Sequence, residues 1–282
     1  MAKILDRHQQ IERSIITTYR KELWSPFVLA VKKYALIEAG DKIAVCISGG
    51  KDSVLLAKLM QQLQRHSEVP FELVFLVMDP GYNQKNAQKI EENAKLLNIP
   101  ITVFKSDIFA AADAASAESP CYLCARMRRG HLYAKAKELG CNKIALGHHK
   151  SDVIETTLMG MLYGGQIQGM LPKIQSTNFE GMQLIRPLYC VLERDILRWK
   201  EHNDLDFIAC ACRFSEKTEN GDGETFSARK RVKDLIEELR RENPNVESNI
   251  FQSIHNVQLD TLAEYKTNGV KRSFLEKFLK DE

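Results

Sequence analysis

The sequence predicts an α/β fold, with a parallel sheet carrying helices on both faces and helical segments at either end. Three observations lead there. Short apolar, β-prone runs alternate with stretches of helical period at the rhythm of βαβ units. The first of these runs ends in a glycine pair that opens a helix. Hydrophobic residues are 44% of the 282 and charged residues 27%, a balance that supports a sizeable core and excludes a disordered chain.

The first forty residues read as helical, because Ile11, Ile15, Ile16, then Phe27, Val28, Val31 and Tyr34 recur at helical spacing. Lys42 to Ile47 is short and apolar and predicts a buried strand. Val54, Leu55, Lys58, Leu59, Met60 and Leu63 continue with helical period. A second strand is expected from Phe71 to Met78, ending at the turn Asp79-Pro80-Gly81. A helix over about 84–97 and a strand over 101–104 come next. The helix around 126–139 stops at Gly140, a C-cap, before a fourth strand over 143–146. Further pieces are expected at Gln183 to Pro187 (strand), Arg194 to Glu201 (helix) and Phe207 to Ala209 (strand). Ser215 to Glu224 reads as a loop, and Ser227 to Glu282 as helices, with Pro244 starting a new one. The expected division is a helical segment over 1–38, a nucleotide domain over 39–214 and a helical region over 215–282.

No apolar run approaches the ~20 residues needed to cross a bilayer. The start, Met1 to Arg7, lacks the apolar stretch of a signal peptide, so a cytoplasmic protein without membrane attachment is expected. A net charge of +3 does not by itself indicate a nucleic-acid partner; the distribution matters more. Seven cysteines in a reducing compartment are not expected to form structural disulfides. Cys46, Cys141 and Cys190 stand singly in apolar stretches and are expected to pack as small hydrophobes, whereas Cys121/Cys124 and Cys210/Cys212 come in pairs.

Ser48-Gly49-Gly50-Lys51-Asp52-Ser53 lies between a strand and a helix. Glycines without Cβ atoms let backbone N–H groups approach an anion. The helix start adds unpaired donors and the positive end of its dipole. Lys51 brings a point charge, the Ser48 and Ser53 hydroxyls bring donors, and Asp52 suits a Mg²⁺ ion beside phosphates. The glycine spacing differs from the Walker pattern. Cys121-x-x-Cys124 can present two thiolates to one metal; a redox dithiol or coincidence also fits that spacing.

The hexapeptide resembles the signature of the PP-loop ATP pyrophosphatases. The resemblance extends through Cys121 to Cys124, Arg126 to Gly130, Leu146 to Asp152, Tyr163-Gly164-Gly165, Ile185 to Leu188 and the Cys210/Cys212 pair. In that order, from about Ala39 to Cys212, the blocks resemble the tRNA 2-thiocytidine synthetase family. The resemblance implies a Rossmann-type PP-loop core related to the adenine nucleotide alpha hydrolases. It implies an enzyme that adenylates a tRNA cytidine in the anticodon loop with ATP and Mg²⁺, then replaces its oxygen with sulfur at a 4Fe–4S cluster.

By the same resemblance Cys121, Cys124 and one distant cysteine hold the cluster, leaving one iron open for sulfur. The family's second pair has two intervening residues, but here Cys210-Ala211-Cys212 has one, so both remain candidates, with Cys210 favoured. Asp152 falls where the family has an acidic residue near the ATP phosphates. The family often has two consecutive acids there, and this chain has Ser151-Asp152. Gly147 comes after a strand at the edge where open α/β sheets bind ligands, and it suits close nucleotide approach. His148 and His149 fit acid–base or phosphate contacts, or buried hydrogen-bonded roles. Arg128 is placed to neutralise phosphate or to lie on a solvated helix face with Arg126 and Arg129, and the backbone at Met78-Asp79, the end of the second strand, to read adenine.

Arg126/Arg128/Arg129 and Arg229-Lys230-Arg231 with Lys233 are candidates for the tRNA backbone, joined by Arg240-Arg241 and Lys271-Arg272. A cysteine desulfurase system or inorganic sulfide is the expected sulfur donor, and the N-terminal helix suggests a homodimer by analogy. Two other readings stay open. One is tRNA lysidine formation, which needs no cysteine cluster; the other is a zinc-stabilised nucleotide-binding module.

Overall fold

The computed structural model describes residues 5–106, 120–208 and 228–278, with the backbone alone for 120–126 and 277. The N-terminal segment is helical, as its spacing predicts: α1 (Arg7–Ile16) and α2 (Ser25–Lys33) flank a π-helical turn at Arg20–Trp24. Pro26 sits in the first turn of α2, where its missing N–H costs nothing. Ile11, Ile15, Leu23 and Phe27 are fully buried.

The core alternates β1 (Lys42–Ile47), α3 (Lys51–His66), β2 (Glu72–Asp79), α4 (Gln84–Leu96), β3 (Ile101–Lys105), α5 (Pro120–Glu138), β4 (Lys143–Ala145) and α6 (Lys150–Gly164). Then come β5 (Lys173–Gln175), β6 (Gln183–Ile185) and α7 (Glu193–His202). The six strands lie in the order β3-β2-β1-β4-β6-β5. All neighbours are parallel except β5, which runs antiparallel to β6.

Both faces of the sheet are covered, and the strand period shows it. Ile43, Val45 and Ile47 of β1 point into one cluster, with Phe75, Val77, Ala145 and Ile185. Ala44 and Cys46 point into the other, with Leu76, Ile144 and Leu184. Leu55, Leu59 and Trp199 cover the first face; Tyr133 and Ala136 of α5 cover the second. Gly140, at φ +74°, ends α5 as expected.

Two expectations change. Phe207 and Ile208 lie in no strand, and Ala209 falls outside the described residues. The tail is helical in α8 (Ala228–Glu242) and α9 (Val246–Ser253) but then forms a hairpin of β7 (Glu264–Thr267) and β8 (Val270–Ser273). The cause is local: Asn268 and Gly269 take φ of +50° and +78°, the pair of positive values that a two-residue hairpin turn requires.

The chain divides into two compact units, Met1–Val153 with Met170–Phe226, and Ile154–Gly169 with Ser227–Glu282. In the second unit the buried Glu155 faces Arg229 and Lys233, each at 3.6 Å. Among the described residues no helix is long and apolar enough to cross a membrane.

Lys143, at the start of β4, is 2% exposed, yet its Nζ lies 2.6 Å from Asp41 Oδ2 and donates to Leu36 O at 3.1 Å. Asp41, itself 4% exposed, also accepts from the Glu38 amide and from Asn142 Nδ2. Burial opposes its charge, but the lysine and these donors outweigh burial and hold its carboxyl below the usual range. Removing one member strands the other, so Asp41→Ala should destabilise the protein by about 3–5 kcal/mol in urea titration. The carboxylate's contribution is present above the unfolded aspartate value of about 3.9. It is lost as pH falls through the lower folded value, and this part of acid unfolding should be missing in the variant.

Candidate active site

The carboxyl ends of β1 and β4, neighbours in the sheet, carry the two segments that meet at the site. After β1 the chain turns through Ser48, Gly49 and Gly50 into α3. Gly49 has φ +84°, and a Cβ there would fall 2.6 Å from side-chain atoms of Ile90 and Ile208. Both the backbone conformation and the space require glycine. Gly50 is the N-cap of α3, and no side chain caps that end. Its first amides are therefore left for a ligand. The loop closes on itself: Ser53 Oγ accepts from the Ser48 amide at 3.1 Å and donates to Gly50 O at 2.9 Å.

Gly147 lies just beyond β4. A Cβ on it would lie 3.1 Å from both Asp52 C and Ser53 N, so the glycine allows the β4 turn to press against the first turn of α3. The expected nucleotide approach is joined here by a packing demand.

Ser48, Asp52, Ser53, Met78, Arg128, Gly147 and Asp152 all line one cavity of about 520 Å³. Gly49, Gly50 and Lys51 belong to the same loop but are not part of that lining. Lys51 Nζ is instead 2.9 Å from Glu193 Oε1 and 3.2 Å from Asp52 Oδ2. Burial disfavours its charge, but the two carboxylates outweigh burial and raise its pKa. His148 and Arg129 line the cavity too, as do Cys46, Tyr82, Leu132, Leu146 and Arg186, which the sequence alone did not place there. Of the apolar lining, Tyr82 and Leu132 pack beside the buried side chain of Met78, together with Phe104.

His149 is 3% exposed and lies between two carboxylates. Its Nδ1 accepts the Asp152 amide at 3.3 Å, and Asp152 Oδ2 accepts the His149 amide at 3.0 Å. A neutral ring with that acceptor carries its proton on Nε2, which is 3.8 Å from Asp52 Oδ1. That oxygen is buried and accepts no hydrogen bond. The histidine thus stands between the two carboxylates, tied to Asp152 by hydrogen bonds and approaching Asp52 without one.

Cys121 and Cys124 fall in the first turn of α5, three residues apart; their side chains lie outside the described residues, as does that of Arg126. Cys210 and Cys212 lie outside the described residues altogether. Among the described residues no three His, Cys, Asp or Glu side chains gather as a metal site. Cys46 and Cys141 are buried in the core, as expected, and burial pushes the Cys46 thiol up to about 12. Cys190 is only half-buried and is hydrogen-bonded to the Tyr34 hydroxyl. Of the basic clusters, Lys271 pairs with Glu264 at 2.6 Å and Arg272 with Glu276 at 3.2 Å, so part of that charge is neutralised locally.

A PP-loop domain model matches residues 21–215. A tRNA-cytidine(32) 2-sulfurtransferase from Geobacter metallireducens is 36% identical over 81% of this chain and 87% of its own length. One from Coxiella burnetii is 33% identical over 92% of this chain and 95% of its own. Among solved structures, the U34-tRNA thiolase NcsA from Methanococcus maripaludis with its 4Fe–4S cluster superposes with a TM-score of 0.65. That alignment covers 86% of this chain and 80% of NcsA at 19% identity, a likeness of fold.

Gly147→Ala gives a direct check on the cavity. The added carbon must displace the Asp52–Ser53 backbone by a few tenths of an ångström. Calorimetric titration with an ATP analogue should show affinity reduced by about tenfold or more, since small misplacement of a phosphate cradle is costly.

Proposed function

The chain belongs to the tRNA-cytidine 2-sulfurtransferase family of PP-loop enzymes, and from that membership and the cavity we propose an ATP-dependent thiolation of a tRNA cytidine. The observation that carries the reading is the uncapped start of α3 facing a cavity that also holds Asp52, Asp152, Arg128 and an apolar wall at Met78. The adenine lies on the apolar wall, and the phosphates lie against Ser48, Gly49, Gly50 and Ser53. Lys51 and Arg128 offset their charge. Asp52 and Asp152, with His149 between them, carry Mg²⁺. The cytidine O2 attacks the α-phosphate, an O–P bond forms, and pyrophosphate leaves. Sulfide-level sulfur then adds at C2, and the C2–O bond breaks with AMP as the leaving group; a persulfide donor would deliver it with a thiol supplying the two electrons. The cytidine must be unstacked to reach this chemistry.

Cys121, Cys124 and Cys210 or Cys212 would hold a 4Fe–4S cluster. The group supplies, when bound, an iron without a protein ligand that can carry sulfur. Two features support the fit. The first pair starts a helix whose later residues Arg128, Arg129 and Leu132 line the cavity. The second pair comes soon after Ile208, whose side chain packs on Gly49 and whose carbonyl oxygen comes within 3.8 Å of the Cβ position of Gly50. The three thiols are the ligand type that such clusters take, and a soft sulfur donor, a desulfurase persulfide or sulfide, matches them. The cytoplasm is the compartment that keeps such thiols reduced.

Mass spectrometry of tRNA nucleosides from a strain lacking the gene tests the reading. Loss of 2-thiocytidine is expected, and an unchanged thionucleoside profile would falsify it. Anaerobically purified protein should be brown and hold about four irons. Cys121→Ser and Cys124→Ser should each lose iron and thiolation together. Of Cys210→Ser and Cys212→Ser, only one should do so. Asp152→Asn should keep the iron while cutting turnover by about 100-fold or more.

A further inference from the structure

Arg186 stands just after β6, 5% exposed, and lines the cavity together with Arg128, Arg129, Asp52 and Asp152. Its Nη1 donates to the Leu171 carbonyl oxygen. Its Nε is buried and meets no acceptor. Among the described residues it makes no ion pair. A guanidinium does not give up its proton, so burial here places a full charge in a poorly solvated spot, with Asp152 attracting it only at longer range than an ion pair. Burial first, and repulsion from Arg129 second, pull its pKa down to about 10, and the weaker support of Tyr133, Tyr189 and Asp152 does not offset them. Natural proteins rarely leave such a charge without a counter-ion, and here the open side is the cavity itself.

We propose that Arg186 is the positive partner of the nucleotide's phosphates, a binding residue reserved for the ligand. The inference rests on the reading of this cavity as the ATP site. The lining fits it. Three guanidinium groups against two carboxylates leave the cavity cationic, as a polyphosphate requires. A planar fork bound at one end to Leu171 O and bare at Nε matches a phosphate oxygen better than a point charge would. The same buried position, behind β6 in a cavity already walled by Ser48, Ser53 and Gly147, favours a small phosphate ester over an RNA backbone.

Such a charge weakens the empty protein and strengthens the complex, which separates it from a structural arginine. The test compares wild type, Arg186→Met and Arg186→Lys by thermal unfolding, by titration with α,β-methylene ATP and Mg²⁺, and by binding of an unmodified anticodon stem–loop RNA. Arg186→Met should melt at or above the wild-type temperature without nucleotide. Its affinity for the analogue should fall by about 10- to 100-fold, as expected for a hydrogen bond to a charged group. Arg186→Lys should lie between, and RNA affinity should stay within about twofold for both.

If Met lowers the melting temperature, the lysine variant is read in its place. It retains the charge and a donor for Leu171 O, so restored melting with weakened nucleotide binding supports the assignment, and restored binding overturns it. Unchanged nucleotide affinity in Arg186→Met overturns it as well, and so does a fall confined to RNA. Wild type that fails to bind the analogue removes the ATP reading and this inference together. Wild type that binds while Arg186→Met binds equally removes the inference alone.

Discussion

The contact between Gly147 and the first turn of α3 is the constraint on which the site depends. Parallel pairing puts β1 beside β4 and sends both chains out of the sheet at the same edge. The segments leaving these two strands must then share one small volume. With glycine at 147 the Asp52–Ser53 backbone can be met at van der Waals distance, so the helix start keeps its place with Asp52 and Ser53 in the cavity wall. On the other side of the loop, Gly49 does the same for Ile90 and Ile208. The phosphate loop is thus clamped between two neighbours, one from β4 and one from the chain that leads to Cys210.

Charge obeys the same economy of space. Lys51 and Glu193 are far apart in the chain and 2.9 Å apart in the fold. Asp52 and Asp152 share one buried histidine. Each pairing joins the first turns of helices that follow different strands, so the electrostatics of the site are set by sheet order rather than by any single motif. Ligand phosphates entering such a site would compete with carboxylates for Lys51, whereas Arg186 makes no ion pair among the described residues.

Much of this was legible in the sequence wherever a signal is local. β1 was readable to the residue because an apolar run is bounded by a lysine and a serine-glycine turn. The hexapeptide after it needs only its own neighbours to be recognised as a phosphate loop. β5 was not legible: three residues, Lys173–Gln175, mostly exposed, carry too little pattern, and their place comes from pairing with β6. The hairpin was missed for a different reason. Asn268-Gly269 is a strong turn signal, but the flanking strands are short and polar, and the preceding helical spacing was extended over them. In the site, Glu193, Arg186 and the bridging role of His149 could not be read, since each depends on a partner or a cavity assembled from distant segments. Arg186 was visible within a recognised block, but its burial was not.

Cys46 bears on chemical discrimination. It lines the same cavity as Asp152 and Arg128, close to where sulfur transfer is expected to occur, yet its thiol is held up to about 12. At neutral pH only about one such group in 10⁵ is ionised, and the nucleophile is the ionised form. A thiol kept protonated is a poor acceptor for sulfur. An enzyme that handles reactive sulfur can therefore keep a cysteine as packing material beside its workshop, provided the strand around it stays dry.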